Sequence, residues 1–445
     1  MGVSLGIYSL LSWAVQPLLR RKVRRRAQIE PGYAVAVEER FGRYTPASLG
    51  HDGAGQWIWV HAVSLGETRA AALLIQELRN AMPGMRLLLT HSTATGRAEG
   101  AKLLQPQDVQ VWLPWDTPSG VRRFLHQFQP AVGVLMETEV WPNLVAQCRK
   151  TGVPLVLANA RLNEKSLAGA KRWSALLQPA YQGLHAAWAQ SEDDAQRLQS
   201  LGAPVQGVLG NLKFDVQPDA QLLARGAAWR AASARPVVML ASSREGEEAQ
   251  WIAQWDGRKF HGVAGQCQWL IVPRHPQRFD AVYALLTQAG LRVARRSEWQ
   301  DGMPATDVDV WLGDSVGEMP MYYAAAHIGL LGGSFEPLGG QNLIEAAACA
   351  CPMVVGPHTF NFAQASQLAC EAGAAFRVLD MEQGVQLATA LAKDPKGLQR
   401  ARQAALEFAG AHRGAARATA QAIAAIVQGK GEAGSLAPGP SQMAS

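Results

Sequence analysis

The sequence contains few cysteines, and their spacing fits neither a disulfide framework nor a zinc site. Its five cysteines (Cys148, Cys267, Cys349, Cys351 and Cys370) are scattered through 445 residues without a CxxC pair. An odd number of scattered cysteines in a long chain is typical of a protein from a reducing compartment. A structural zinc site is equally unsupported, because the usual paired cysteine ligands are missing.

Two common nucleotide-binding motifs are also missing. No G-x-x-x-x-G-K-[ST] occurs, which excludes a P-loop enzyme, and no G-x-G-x-x-G follows the first predicted strand, which disfavours a dinucleotide-binding domain. Lysine and arginine number 42 against 36 aspartate and glutamate residues, and the basic run at residues 20–26 alone accounts for the formal net charge of +6. The remainder of the chain is neutral, which argues against a nucleic-acid-binding protein.

The N-terminus predicts a membrane attachment. Residues 1–19 contain no charged side chain, and as a helix they would reach about 28 Å, close to the thickness of a hydrocarbon core. The basic run follows this stretch, whereas a cleaved signal peptide carries its positive charges first. We therefore expect a retained anchor with the large domain on the cytoplasmic side, against anionic lipids. A full span and an interfacial helix both remain open, as does an ordinary soluble helix with a basic end.

From Trp57 onward, the sequence alternates short apolar runs with stretches of helical periodicity, which predicts βαβ units and parallel sheets. The first series of runs is WIWVHAV, MRLLLTHS, VQVWLPWD, AVGVLME, VPLVLANA and AAWAQS. The second series is RPVVMLASS, QWLIVPRHP, VDVWLGDS, IGLLGGS, PMVVGPH and AAFRVLD. We expect an α/β protein with two doubly wound, Rossmann-like domains.

The composition also places the domain boundaries. The predicted parts are a membrane anchor helix with its basic flank at 1–30, a first domain at 31–210, a linker at 211–235 and a second domain at 236–428. Residues 429–445 are rich in Gly, Ser, Pro and Ala and predict a disordered tail. Ligands of open parallel sheets bind beyond the carboxyl ends of the strands, so the loops after the apolar runs are the candidate functional regions.

In the first half, acidic residues follow two of the predicted strands. Glu67 falls in the first turn of a helix after the run that ends near Val63, where a carboxylate can act as a base towards a sugar hydroxyl. Glu67 could instead only complement the helix dipole. Glu137 stands at a strand end, with Glu139 two residues later.

In the second half, three loops predict nucleotide binding. Gly339 and Gly340 precede a helix that begins near Asn342, where backbone N–H groups suit a phosphate, while Glu345 could accept hydrogen bonds from a ribose. A glycine-rich turn that serves only backbone geometry is the alternative. The other two loops contribute Gly317, Glu318 and Met319 at a helix start, and Pro273 and Arg274 at a strand end.

Asp307 and Asp309 form a DxD pair, which bridges a metal to a diphosphate in many sugar transferases. They lie at alternate positions near the start of a predicted strand, so we expect them to face solvent. The sequence therefore predicts no metal site and no cofactor.

Eight blocks of the sequence, taken together, resemble the bacterial 3-deoxy-D-manno-octulosonic acid (Kdo) transferases. They are ERFGRY (39–44), HAVSLGET (61–68), THSTATGR (90–97), METEVWPN (136–143), GNLKFD (210–215), VPRHPQRF (272–279), GDSVGEM (313–319) and GGQNLIEAAACACPMVVGPHTFNF (339–362). The resemblance covers nearly the whole chain, including the N-terminal apolar segment.

This resemblance implies a GT-B glycosyltransferase, in which two Rossmann-like domains face a cleft. It implies transfer of Kdo from CMP-Kdo to the phosphorylated glucosamine disaccharide of the lipid A precursor, lipid IVA, at the cytoplasmic face of the bacterial inner membrane. Glu67 matches the catalytic base of an inverting enzyme, and Glu137 and Lys213 match residues that stabilise the transition state. The positions that match CMP-binding segments are Pro273, Arg274, Gly317, Glu318, Met319, Asn342, Leu343, Ile344 and Glu345. Gln341 stands where several relatives have His.

Two other functions stay open at this point. One is a related GT-B enzyme that uses a UDP-sugar, including a sugar-nucleotide epimerase, and the other is a non-catalytic membrane scaffold. The set of Glu67, Glu137, Lys213 and Glu345 argues against the scaffold. The number of Kdo residues transferred cannot be read from any of these motifs.

Overall fold

The computed structural model describes residues 3–45, 56–255, 267–299, 302 and 304–429, and these form two compact units. The first unit comprises Met1–Asp215 together with Arg413–Ser445, and the second comprises Val216–His412. Each unit contains one seven-stranded parallel sheet. The prediction of an α/β protein with two doubly wound domains is confirmed.

The first sheet has the order β3-β2-β1-β4-β5-β6-β7. Its strands are β1 Trp57–His61, β2 Arg86–His91, β3 Val109–Trp112, β4 Val132–Met136, β5 Leu155–Ala160, β6 Ala186–Ala189 and β7 Val205–Val208. The helices of this unit are α1 Val3–Ala14, α2 Gln16–Ile29, α3 Leu65–Ala81, α4 Ala94–Gly100, α5 Pro118–Phe128, α6 Pro142–Thr151, α7 Glu164–Arg172, α8 Ser174–Gln182, α9 Glu192–Ser200 and, from the C-terminal segment, α18 Ala415–Val427.

Both faces of this sheet are buried by helices. Trp59 packs into one apolar cluster, together with Phe124 of α5, while its neighbours Ile58 and Val60 pack into another, together with Leu74 of α3. Because side chains alternate between the faces of a strand, a strand covered on both sides is a continuous apolar run rather than an alternating one. This is the reason that WIWV is readable as a central strand.

The second sheet has the order β10-β11-β9-β8-β12-β13-β14. Its strands are β8 Val237–Ser243, β9 Gln268–Pro273, β10 Val293–Arg295, β11 Val310–Leu312, β12 Ile328–Leu331, β13 Met353–Val355 and β14 Ala375–Arg377. The helices of this unit are α10 Ala220–Ala232, α11 Glu247–Ala253, α12 Phe279–Gln288, α13 Met319–Ala325, α14 Leu343–Ala348, α15 Ala363–Glu371, α16 Met381–Ala392 and α17 Pro395–Ala411.

The division of the chain differs from the predicted boundaries at two places. Most of the expected linker is helix α10, which packs on α13 so closely that a Cβ at Gly226 would meet the carbonyl oxygen of Met321. Helix α18, which we assigned to the second domain, packs on α3 and belongs to the first unit. Its buried face includes Ala416 and Ile423. An apolar helix face of this kind does not specify which of the two sheets it covers. The predicted tail, apart from Gly429, lies outside the described residues.

The N-terminal segment forms two consecutive helices, α1 and α2, rather than one continuous helix. Helix α1 contacts the first unit through the hydroxyl of Ser9, which donates to Oδ1 of Asn143 at 2.7 Å. The hydroxyl of Ser4 likewise donates to the carbonyl oxygen of Ala175 at 2.7 Å. Among the residues that the structure describes, no helix combines the length and the apolar character needed to cross a membrane.

Candidate functional site

Glu67 and Glu137 lie at the same edge of the first sheet. Glu67 belongs to the first turn of α3, directly after β1, and Glu137 directly follows β4. Strands β1 and β4 are parallel neighbours, so the loops at their carboxyl ends meet, as expected for a binding site of an open α/β sheet.

Glu67 is held by the start of its own helix. Ser64 caps α3, with its hydroxyl oxygen accepting from the N–H of Glu67 at 3.3 Å, while the Glu67 carboxylate accepts from the Ser64 hydroxyl at 3.1 Å and from the N–H of Val63 at 2.9 Å. Burial raises the pKa of Glu67 to about 7, and the charges of Glu137 and Glu139 act in the same direction, while the two hydrogen bonds oppose them. A carboxyl group with this pKa is suited to accept a proton near neutral pH.

Glu137 is buried and occupies a backbone conformation that is unusual for a residue with a side chain. Its φ is 57°, a left-handed conformation that occurs mainly where the surroundings enforce it. Here the segment of β5 enforces it. The N–H of Glu137 donates to the carbonyl oxygen of Ala158 at 3.0 Å, and the carbonyl oxygen of Glu137 accepts from the N–H of Arg161 at 3.3 Å. The direction of the Glu137 carboxylate is therefore fixed by β5.

Two cations flank the Glu137 carboxylate. Nε of Arg161 lies 2.8 Å from Oε2, and Nζ of Lys213 lies 3.7 Å from Oε1. Lys213 belongs to a short 3-10 turn, Leu212–Asp215. Asparagine side chains hold this turn, since Oδ1 of Asn159 accepts from the N–H of Leu212 at 3.1 Å and Oδ1 of Asn211 accepts from that of Lys213 at 3.0 Å. Lys213 and Arg161 thus both lie close enough to Glu137 to compensate its negative charge.

Glu139 and His61 also lie at this edge of the sheet. Burial raises the pKa of Glu139, whose carboxylate accepts from Nε1 of Trp141 at 2.9 Å. His61 is fully buried, with Nδ1 2.9 Å from the hydroxyl of Thr90 and Nε2 4.0 Å from the Glu139 carboxylate. Burial lowers the pKa of His61 to about 3, so the imidazole is neutral at physiological pH.

Arg161 was not predicted from the sequence, although the position of this residue in the sequence points to the same edge. It follows β5 as Glu137 follows β4, and a basic residue immediately after a strand of the same sheet is a candidate for the same edge.

In the second unit, the structure brings Arg274 and the glycine-rich loop together. Pro273 ends β9, and the N–H of Arg274 donates to the carbonyl oxygen of Ser243 at 3.0 Å. Nε of Arg274 donates to Oε1 of Gln341 at 3.1 Å. The residue that departs from the expected family pattern is therefore a direct partner of the candidate anion-binding arginine.

The glycine-rich loop has the backbone conformation that glycine favours. Gly339 and Gly340 have φ values of 89° and 75°, and the N–H of Gly340 donates to the carbonyl oxygen of Gly333 at 2.7 Å. The buried carboxylate of Glu247 accepts from the N–H of Gly333 at 2.8 Å and from that of Phe335 at 3.1 Å. The Glu247 side chain thus holds this loop through two hydrogen bonds from its backbone.

Helix α14 begins directly after this loop. Asn342 caps it by accepting from the N–H of Ile344 at 3.1 Å, and Glu345 lies in its first turn. The side chains of Leu343 and Ile344 are buried. Any contact of these two residues with a ligand would therefore involve their backbone.

In the third segment that is predicted to bind CMP, the acidic side chain is already paired with arginine side chains. Gly317 has a φ of 88°, and Met319 begins α13. The Glu318 carboxylate pairs with Arg296 at 3.0 Å and with Arg225 at 3.7 Å. Glu318 is therefore ion-paired in the structure, and the backbone of this segment is its feature best suited to a ligand.

The DxD pair is engaged by one arginine. Arg292 lies 2.7 Å from Asp307 and 3.1 Å from Asp309, so both carboxylates have a cationic partner. Within the described ranges, no cluster of three or more His, Cys, Asp or Glu side chains could hold a metal ion.

The chain is similar to known Kdo transferases over nearly its whole length. A family model described as 3-deoxy-D-manno-octulosonic-acid transferase (kdotransferase) matches residues 36–216. The 3-deoxy-D-manno-octulosonic acid transferase of Bordetella pertussis is 46% identical, over 94% of this chain and 98% of the relative. That of Haemophilus influenzae is 32% identical, over 82% of this chain and 84% of the relative.

A solved structure supports the fold independently. A glycosyltransferase from Rickettsia africae matches with a TM-score of 0.56 at 11% identity, covering 84% of this chain and 99% of that chain. This likeness concerns the fold alone. The sequence matches decide the family, and the chain belongs to the 3-deoxy-D-manno-octulosonic acid transferases, which are glycosyltransferases.

Proposed function

We propose that this enzyme transfers Kdo from CMP-Kdo to the glucosamine disaccharide of lipid IVA, with release of CMP and inversion at the anomeric carbon. The observation that carries this proposal is the environment of Glu67. Burial raises its pKa to about 7, at the sheet edge that also holds Glu137 and Lys213. An inverting transfer needs one base for the acceptor hydroxyl, and Glu67 has the chemistry of that base.

The reaction divides between the two units. In the first, the Glu67 carboxylate accepts the proton of the sugar hydroxyl as its oxygen attacks the anomeric carbon of Kdo. The bond from that carbon to the CMP phosphate breaks with its electron pair, so negative charge develops on the departing phosphate. Lys213, held by Glu137, supplies positive charge for the transition state, since preorganised charges contribute strongly to catalysis.

The second unit is proposed to hold the CMP moiety. Arg274 and the backbone around Gly340 and Asn342 suit a phosphate, and Glu345 suits the ribose hydroxyls. A leaving monophosphate needs less charge compensation than a diphosphate, so arginine, lysine and backbone N–H groups can stabilise its departure.

We further propose that the first unit attaches to the cytoplasmic face of the inner membrane through α1 and α2. Large apolar side chains of α1 are exposed, including Ile7 at 58%, Leu10 at 66% and Leu11 at 58%. Arg21, Lys22 and Arg25 of α2 line one open concavity together with Leu18 and Ile29. An apolar face beside a basic face suits an interface with anionic headgroups.

The proposal is tested by replacing the base. Glu67→Ala should abolish transfer of Kdo from CMP-Kdo to lipid IVA, measured by mass spectrometry of the lipid, while CMP affinity, measured by calorimetry, stays unchanged. Glu77→Gln, on the same helix, is the matched control and should retain both. Unchanged turnover of Glu67→Ala would remove Glu67 as the base, and a wild-type protein that forms no product from CMP-Kdo would refute the donor and acceptor.

A further inference from the structure

The first unit contains a cavity that the proposed mechanism does not use. It is partly open, has a volume of about 40 Å³ and is lined by residues that include Arg40, Ser92, Trp115, Asp116 and Trp141. Ser92 follows β2, Trp115 and Asp116 follow β3, and Trp141 lies between β4 and α6. The cavity therefore lies at the same sheet edge as Glu67 and Glu137. Trp141 connects the two regions, because its Nε1 donates to Glu139.

Arg40 is a buried cation without an ion-pair partner among the described residues. It is 2% exposed, and its guanidinium stacks on the ring of Trp112 at 3.7 Å. Nη2 donates to the carbonyl oxygen of Ser92 at 3.2 Å, and Nε has no hydrogen-bond partner. Burial lowers the pKa of Arg40 only to about 10, so the group is charged at neutral pH. Fully buried arginines are nearly always paired, and this one favours an anionic ligand.

The neighbouring carboxylates are engaged elsewhere. Glu39 pairs with Arg97 at 3.4 Å and accepts from the N–H of Trp112 at 3.0 Å. Asp116 accepts from the N–H groups of Asn143 and Leu144 at 3.0 and 2.8 Å. Asp116 thus serves the backbone of the cavity wall, while Glu39 and Arg97 form an ion pair whose two charges both act on Arg40.

The cavity also holds a second unpartnered donor. Nε1 of Trp115 is buried and has no hydrogen-bond partner. Arg40 and Trp115 thus both line the cavity, and each has a buried N–H donor without a partner. Trp141 is 40% exposed, and its ring is kept in place by the hydrogen bond to Glu139. An indole face of this kind suits the apolar face of a sugar ring.

We infer that this cavity binds a phosphate group of the acceptor sugar, with Arg40 and Trp115 donating hydrogen bonds to the phosphate oxygens and Trp141 lying against the sugar ring. The inference rests on the proposed function, because it assumes that the acceptor is a phosphorylated glucosamine disaccharide. It assigns the acceptor phosphate to residues that lie outside the Glu67, Glu137 and Lys213 cluster.

The test compares two ligands in two proteins without any donor sugar. The ligands are lipid IVA and the same lipid after removal of its phosphates, and their dissociation constants are measured by calorimetry in detergent. Wild-type protein should bind lipid IVA more tightly than the dephosphorylated lipid. Trp115→Phe keeps an aromatic ring and removes the N–H, and it should weaken binding of lipid IVA about tenfold, as expected for a hydrogen bond to a charged group. Binding of the dephosphorylated lipid should not change.

Trp188→Phe is the matched control, since Trp188 also has a buried Nε1 without a partner but does not line the cavity. It should leave both dissociation constants unchanged. If Trp115→Phe weakened binding of both ligands equally, Trp115 would have a merely structural role and the inference would be overturned. Unchanged binding of lipid IVA in this variant, or equal affinity of the wild type for both ligands, would overturn it as well. Differential scanning calorimetry of the first unit, to which both tryptophans belong, reports whether each variant is folded. Because the readout needs no turnover, failure of the proposed transfer reaction is distinguished from failure of this site.

Discussion

The guanidinium of Arg274 donates a hydrogen bond from Nε to Oε1 of Gln341 at 3.1 Å, although the two residues lie 67 positions apart in sequence. This bond joins a strand end and the glycine-rich loop, which are two of the three segments proposed to hold CMP. A glutamine amide keeps the same hydrogen-bonding groups at all physiological pH values. A histidine at this position would change its charge near pH 6.5 and would repel Arg274 when protonated.

Gln341→Leu should therefore weaken CMP binding about fivefold, because one hydrogen bond that orients the arginine is lost. Calorimetric titration with CMP measures the change. Gln341→His should bind CMP well at pH 8 and more weakly at pH 6, since the protonated imidazole disfavours the adjacent cation. Gln367→Leu, on the surface of α15, is the control and should bind like the wild type. Equal CMP affinity of all four proteins at both pH values would contradict the positioning role of Gln341.

A second prediction concerns the pH dependence of transfer. The proposed base must be ionised, and burial raises the pKa of Glu67 to about 7. Wild-type kcat/KM should therefore fall about tenfold for each pH unit below 7 and level off above it. Glu139→Gln removes a negative charge that raises the pKa of Glu67, so this acid limb should move to lower pH. The control Glu77→Gln should keep the acid limb of the wild type. If Glu139→Gln also kept it, the effect of the Glu139 charge on the pKa of Glu67 would be contradicted.

The third prediction concerns the charge of Lys213, whose Nζ lies 3.7 Å from the Glu137 carboxylate. Lys213→Met should lower kcat by two to three orders of magnitude, roughly the cost of removing one preorganised donor from a transition state. CMP affinity should not change. Steady-state kinetics on purified protein measure both effects. Lys171→Met, an exposed position on α7, should be fully active, and a similar kcat for both variants would exclude the electrostatic role.

The central strands of both sheets and one edge strand of each sheet were readable from the sequence. Every apolar run named in the sequence contains a strand of the structure. The two strands without such a run are β7 and β10, whose side chains are half-buried or exposed. Each lies at the edge of its sheet. A strand whose side chains are only half-buried needs no continuous apolar run, so its pattern resembles that of a loop.

The site residues were predictable to the extent that they follow strands. Glu67 and Glu137 were found because the carboxyl ends of parallel strands meet at one edge. Lys213, an ion-pair partner of Glu137, came only from the family resemblance. Arg161 and Arg40 were not found, since the ion pair of Arg161 with Glu137 and the buried position of Arg40 depend on tertiary packing. The placement of α18 was missed for the same reason, because an amphipathic helix does not specify which sheet it covers.

A fourth prediction follows from that helix. The carboxylate of Asp215 accepts hydrogen bonds from the N–H groups of Gly414 and Ala416, so it caps α18 from a distant part of the chain. Asp215→Ala should lower the free energy of unfolding of the first unit by about 1 kcal/mol, the usual cost of losing a helix cap. Differential scanning calorimetry measures the shift. Asp219→Ala, which removes the cap of α10, should destabilise the second unit instead, and the same unfolding profile for both variants would contradict this assignment.

The last prediction tests the membrane surface formed by α1 and α2. Arg21 and Arg25 line the open concavity on α2, and each should contribute about 1 kcal/mol to binding of an anionic bilayer. Replacing both by alanine should reduce co-sedimentation with vesicles that contain anionic lipid, and the difference from wild type should shrink in high salt because exposed charges are screened. Lys396 and Arg400 are exposed on α17, and replacing both by alanine removes the same net charge from the second unit. If the two double variants lost vesicle binding equally, the attraction would be a property of net charge rather than of this surface.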